Sequence, residues 1–213
     1  MHKEFKKEIY GSLKLLKPVL SEWQELMTPV FWNYKNDAPW WYNERALLSL
    51  FAGAVWKCSK CNGWAFEEFT SDKWRTMRRG NRKKGKGRGD IMFGMGDITF
   101  IGEAKQCWPI LKRSPSDAQE TIDKKMRKAL SDASCLPPDG KRLGIVFVTP
   151  RIHKSNFRSI DEILERFREA LDKKRNTAMA WTFPSEKRVL NGKDGYRYPG
   201  IVLLIKRFRG MQK

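Results

Sequence analysis

Apolar residues recur along this chain at two periods, and the change of period marks its elements. Behind Asn43, the residues Leu47, Leu48, Phe51, Ala54 and Val55 return at three- to four-residue steps. That spacing predicts a helix over 43–57 with one buried face and Asn43 as its N-cap. Upstream, Leu13, Leu15, Leu16, Val19 and Leu20 form a helical apolar stretch broken by Pro18, and 23–41 reads as an aromatic, proline-punctuated connector. Residues 65–70 form a short strand. Two further strands, 90–93 and 97–105, flank Gly94-Met95-Gly96, which reads as a tight hairpin turn.

A second helix opens at Ser114-Pro115 and buries Ala118, Ile122, Met126, Ala129 and Leu130. After the turn Pro137-Pro138-Asp139-Gly140, residues 143–149 are continuously apolar, as in a strand covered on both faces. Ser159 to Glu162 has the pattern of a capping box. Ile160, Ile163, Leu164, Phe167 and Leu171 carry the next helix to about residue 174. Strands at 177–183 and 200–206 close the chain. Strands linked both by hairpins and by helical crossovers imply an α/β fold, a mixed central β-sheet flanked by helices. The expected division is an N-terminal helical and aromatic segment over 1–42, packed on a domain over 43–213. That domain divides into a core at 43–150 and a C-terminal extension at 151–213.

Composition adds a partner. The chain has 213 residues, with 43 Lys and Arg against 24 Asp and Glu, a formal charge of +19. A basic excess of this size favours a polyanion. Hydrophobic residues make up 40% and include nine Trp, which excludes a disordered chain. The longest apolar run, 46–56, falls short of the ~18 residues that span a bilayer. The N-terminus mixes charges without an apolar core, so no signal peptide and no membrane contact are expected, and a cytoplasmic location is.

Of four cysteines, Cys58 and Cys61 form a C-x-x-C pair. A structural zinc site needs two more ligands at close spacing, which Cys107, Cys135, His2 and His153 do not supply. The pair is expected to cap and pack a helix end, and a reducing compartment argues against a disulfide framework.

The candidate chemistry lies in Asp90 and in Glu103-Ala104-Lys105. Alternation puts Glu103 and Lys105 on one strand face, about 7 Å apart. A carboxylate among apolar residues needs a partner or a metal. The plain reading is a same-face ion pair at a strand end. The functional reading adds Asp90 from the neighbouring strand. Two carboxylates suit a hard cation such as Mg²⁺, and a nearby lysine suits a reacting phosphate. A hairpin centred on Met95 pairs residue 90 with residue 100, so the strands must diverge or bulge for Asp90 to reach Glu103. Asp97 lies about 20 Å from Glu103 along a regular strand and is set aside.

With Asp90, twelve intervening residues and Glu103-Ala104-Lys105 in this order of elements, the chain resembles the PD-(D/E)XK nuclease superfamily over roughly residues 43–150. The resemblance implies a restriction-endonuclease-like αβββαβ core and a DNA endonuclease. It implies Mg²⁺ or Mn²⁺ held by Asp90, Glu103 and Glu44 (on the first core helix), with Lys105 as the catalytic lysine. Gln106 is a further candidate, since some branches carry Gln there. Gly89 stands where the motif has proline. A homodimer is expected, since cutting both strands takes two sites.

Residues 78–88 hold seven basic residues, three glycines and no acid. Arg78, Arg79, Arg82, Lys83, Lys84, Lys86 and Arg88 are read as a basic loop or hairpin that tracks a phosphate backbone beside Asp90. Two rival readings stand beside the nuclease. One is a nucleic-acid-binding module on the same fold without catalysis. The other is an RNA-associated protein in which Asp90, Glu103 and Lys105 form a structural ion-pair cluster.

Overall fold

The computed structural model describes residues 2–5, 11–33, 37–76, 82–184, 192 and 194–210. Helix α1 (Lys17–Asn33) follows a 3-10 turn and places Pro18 in its first turn, where a missing N–H costs little. The proline therefore starts a helix here instead of breaking one. Val19, Leu20, Trp23 and Met27 are buried at helical spacing, so 23–33 is helix and not connector. Helix α2 (Glu44–Lys57) forms as its periodicity predicts, with the Asn43 side chain accepting from the Ala46 N–H at 3.1 Å.

The strands are β1 (His2–Phe5), β2 (Trp64–Thr76), β3 (Arg82–Met95), β4 (Ile98–Cys107), β5 (Ile110–Leu111), β6 (Lys141–Val148), β7 (Arg151–His153), β8 (Thr177–Phe183), β9 (Tyr196–Arg197) and β10 (Ile201–Arg207). Helices α3 (Ser116–Ala133) and α4 (Ile160–Asp172) complete the set. Seven strands form one sheet in the order β1-β8-β10-β6-β4-β3-β2, and β5-β7-β9 form a small second sheet. The β4–β6 pair is parallel and its neighbours are antiparallel, so the sheet is mixed, as expected. The order α2, β2, β3, β4, α3, β6 reproduces the expected αβββαβ sequence, with the two-residue β5 inserted. The strand β1, which pairs with β8, has no counterpart in the sequence reading.

Strict alternation along the central strands explains their unbroken apolar runs. Leu143, Ile145 and Phe147 of β6 face one cluster with α1 and α2, which also holds the fully buried Trp23, Trp40 and Phe51. Val146 and Val148 face a second cluster with Ile122, Ile163 and Phe167 from α3 and α4. The result is a helix–sheet–helix sandwich with the sheet buried on both sides. The Ser159 side chain makes no cap bond at α4, so the expected capping box does not form. Cys58 caps and packs the end of α2 as expected, its N–H donating to Ala54 O and Val55 O, but it is also joined to Cys61 as a disulfide, which the sequence reading argued against. The end of α2 turns at once into a 3-10 turn, which brings their Cα atoms to 5.5 Å. No helix among the described residues is long and apolar enough to cross a membrane.

Candidate active site

The site is built by the register of the β3–β4 hairpin. The turn is Gly96-Asp97, with Gly96 at φ +56, and Met95 pairs with Ile98. Turn and register lie further along than a turn centred on Met95 would put them. Pairing runs to Ile91↔Gly102, so one more step sets Asp90 across from Glu103. No register shift is needed to bring the two acids together.

At that step the ladder lapses on both sides of Asp90. Its Oδ2 accepts the Ala104 backbone N–H at 2.7 Å, a side-chain bond in place of a β3–β4 ladder bond. On the other side, β2 pairs through Glu67 and Phe69 but not Glu68, which adopts φ 48. A left-handed, non-glycine residue costs about 1 kcal/mol. Arg45 at 2.8 Å and Arg88 at 2.9 Å hold the Glu68 carboxylate. Alternation slips here: Ile91 and Phe93 face the α1–α2 cluster, whereas a side chain at Gly89 would meet Phe69 and Leu136 on the opposite side.

Glu103 is 4% exposed. Burial, chiefly, and the nearby Asp90 charge raise its pKa to about 7, against the opposing pull of a hydrogen bond from Lys73. The Lys105 Nζ donates to the Ala104 carbonyl at 2.6 Å and stands 3.8 Å from Asp90 Oδ2 and 3.5 Å from Asp132 Oδ2. Asp132, at the end of α3, is also paired with Lys128 at 2.8 Å. Glu44 reaches the same neighbourhood from the first turn of α2. Burial raises its pKa, Lys105 opposes that shift, Asp90 adds to it, and a hydrogen bond from the Gln106 N–H opposes it. Glu44 therefore senses both motif charges. The Gln106 side chain turns away and donates to Tyr42 O at 3.1 Å and Thr149 Oγ1 at 3.4 Å.

Lys73 is the site residue that sequence reasoning missed. Its Nζ lies 2.6 Å from Glu103 Oε1, and both side chains are largely buried. It reaches there by lying over β3 where Gly87 has no side chain: a Cβ at Gly87 would sit 2.9 Å from Lys73 Cδ. The sequence signal was the alternation Lys84-Gly85-Lys86-Gly87-Arg88-Gly89, which has strand period. The described part of the basic tract is accordingly one strand of a hairpin, the second of the two forms expected for it. Residues 82–88 belong to β3 and pair with 70–76 of β2. Lys84, Lys86 and Arg88 are exposed, and Arg82 and Lys83 stand on the same strand. Arg78 and Arg79 lie outside the described residues.

The donors are carboxylates, the type a hard divalent cation takes, and burial with the nearby Asp90 charge raises the pKa of Glu44 and Glu103. Among the described residues, however, no three His, Cys, Asp or Glu side chains are grouped as metal ligands are. Lys73 supplies the positive charge at Glu103. Asp97 sits in the hairpin turn and not on the strand 97–105 where the sequence reading put it, though as far along the chain from Glu103 as expected. Comparison with protein families, with curated proteins and with solved structures finds no match to this chain.

Proposed function

We propose that the chain is a metal-dependent phosphodiesterase that hydrolyses the DNA backbone, of the PD-(D/E)XK nuclease type. The observation that supports this most is the meeting of Asp90, Glu103 and Lys105 where β3 and β4 part, with Glu44 beside them. Asp90 and Glu103 would hold Mg²⁺ or Mn²⁺, with Glu44 as the third carboxylate of the set. The ion, when bound, supplies polarisation of a phosphate oxygen and an acidified water.

The chain's own groups do the rest. Ala104 N–H fixes the Asp90 carboxylate. Lys105, held between Asp90, Asp132 and the Ala104 carbonyl, presents a fixed cation to charge developing on the phosphate. Gln106 positions Glu44 through its backbone N–H and braces the strand end through its side chain. The basic strand β3 leads from Asp90 along the DNA backbone. Two copies acting together are the expected arrangement for a double-strand cut.

A non-catalytic binding module is the second reading. It is favoured by Lys73, which already neutralises Glu103. Cleavage of duplex, single-stranded and branched DNA with Mg²⁺ or Mn²⁺ separates the two readings. Wild type should cut, and Glu103→Ala and Lys105→Ala should each lose at least ~100-fold, the scale of one electrostatic contributor. Equal cleavage by the variants sinks the nuclease reading. Binding without cleavage by wild type favours the module.

A further inference from the structure

The β2–β3 pair outruns the sheet. Strand β4 accompanies β3 only between Ile91 and Met95, whereas β2 accompanies it from Gly94 to Arg82. The seven pairs from Thr70↔Arg88 to Thr76↔Arg82 form a two-stranded ribbon. At about 3.3 Å per residue it extends roughly 20 Å. Its two faces differ. The inner face is turned to the protein: Ser71 is buried and Lys73 holds Glu103, while at the edge of β2 the Trp74 backbone N–H donates to Cys135 O at 2.9 Å. The outer face carries Thr70, Asp72 and Trp74 opposite Arg88, Lys86 and Lys84, all exposed. Asp72 pairs with Lys84 at 2.8 Å and Glu68 with Arg88 at 2.9 Å, and Asp72 is the one acid among residues 70–88, which hold nine Lys and Arg.

We infer that this outer face docks in the major groove of duplex DNA, beside the carboxylate site; the inference rests on the nuclease reading and names its substrate form. The major groove of undistorted duplex, about 12 Å wide, admits a two-stranded β-ribbon, whereas the minor groove, about 6 Å wide, takes strands where the duplex is widened or kinked. The deep, narrow major groove of A-form RNA excludes it. Single strands are held mainly by rows of aromatic platforms, and the described outer face has one aromatic, Trp74. Alternate positions on one strand are about 6.7 Å apart, so Lys84, Lys86 and Arg88 form an even cationic row along the groove.

The test uses the full chain with Ca²⁺ in place of Mg²⁺, a labelled 30-base-pair duplex and its single strands. Dimethyl sulfate reports guanine N7, a major-groove atom, and distamycin competes for the minor groove. Duplex should bind at least ~10-fold tighter than either strand, with N7 protected and distamycin without effect. Lys84→Gln with Lys86→Gln should weaken binding ~10-fold and flatten the log–log salt slope by about 2. The melting temperature, unchanged, confirms that this variant is folded. Reactive N7 atoms in the complex, displacement by distamycin, or equal affinity for single strands overturns the inference. If cleavage that depends on Glu103 persists alongside such a result, only the docking mode fails. Absence of that cleavage removes the reading beneath it.

Discussion

Lys73 and Glu103 form the most consequential pair of residues in the site, because one is nearly buried and the other is its nearest cation. Glu103 carries a pKa near 7 in the folded chain against an ordinary 4.5. The folded state therefore holds a proton that the unfolded state has released between these values. Stability should fall as pH rises from about 4.5 to about 7, by on the order of 3 kcal/mol. Glu103→Gln should remove that decline and be the more stable protein at pH 8, read by urea unfolding across the range. Lys73→Met acts in the opposite sense. It leaves an unpaired buried carboxylate, costing about 3 kcal/mol at pH 8 and under about 1 at pH 5, where Glu103 is neutral. An equal loss at both values would show that Lys73 contributes packing alone. Asp90, Glu103 and Lys105 were legible from their spacing beside apolar strands. Lys73 was not, because its partner lies 30 residues away and its path crosses another strand.

At the scale of elements, the glycines of β3 separate two kinds of position. A methyl group at Gly89 would lie 2.3 Å from the Phe69 ring, whereas at Gly85 nothing lies within 4 Å. Gly89→Ala should destabilise by about 2 kcal/mol, and Gly85→Ala should be neutral or slightly stabilising. Chemical denaturation of the two variants checks this, and equal effects would contradict the close crossing of Phe69 over β3. Helices α2, α3 and α4 were legible because each buries one continuous face. The ribbon was legible only as one of two forms, a loop or a hairpin. Apart from Trp74 its described residues are polar, charged or glycine, so hydrophobic periodicity is silent there, and only the cation–glycine alternation records a strand. The hairpin register was misread because the two-residue turn at Gly96-Asp97 is preceded by Gly94, an equally plausible turn residue.

For the whole molecule, the charge of +19 and the mixed sheet were both open to sequence reasoning, whereas the order of the seven strands was not. Pairing between β1 and β8 spans most of the chain, and no local pattern encodes it. The sheet gathers the acids at one place and lets the basic ribbon project from it, with β3 running through both. A double-strand cut takes two sites, so sedimentation on duplex DNA should show two 25.0 kDa chains per complex. A 1:1 complex that cuts both strands would contradict this arrangement.

The central claim is that Asp90, Glu103 and Lys105 form a hydrolytic site. Single-turnover cleavage of a labelled duplex at pH 8 with Mg²⁺ tests it most directly, with wild type beside Glu103→Gln. This variant keeps the shape of the side chain and an acceptor for Lys73. The expected result is DNA binding within about 3-fold of wild type and cleavage slowed at least ~100-fold. Cleavage by the variant at the wild-type rate would contradict it.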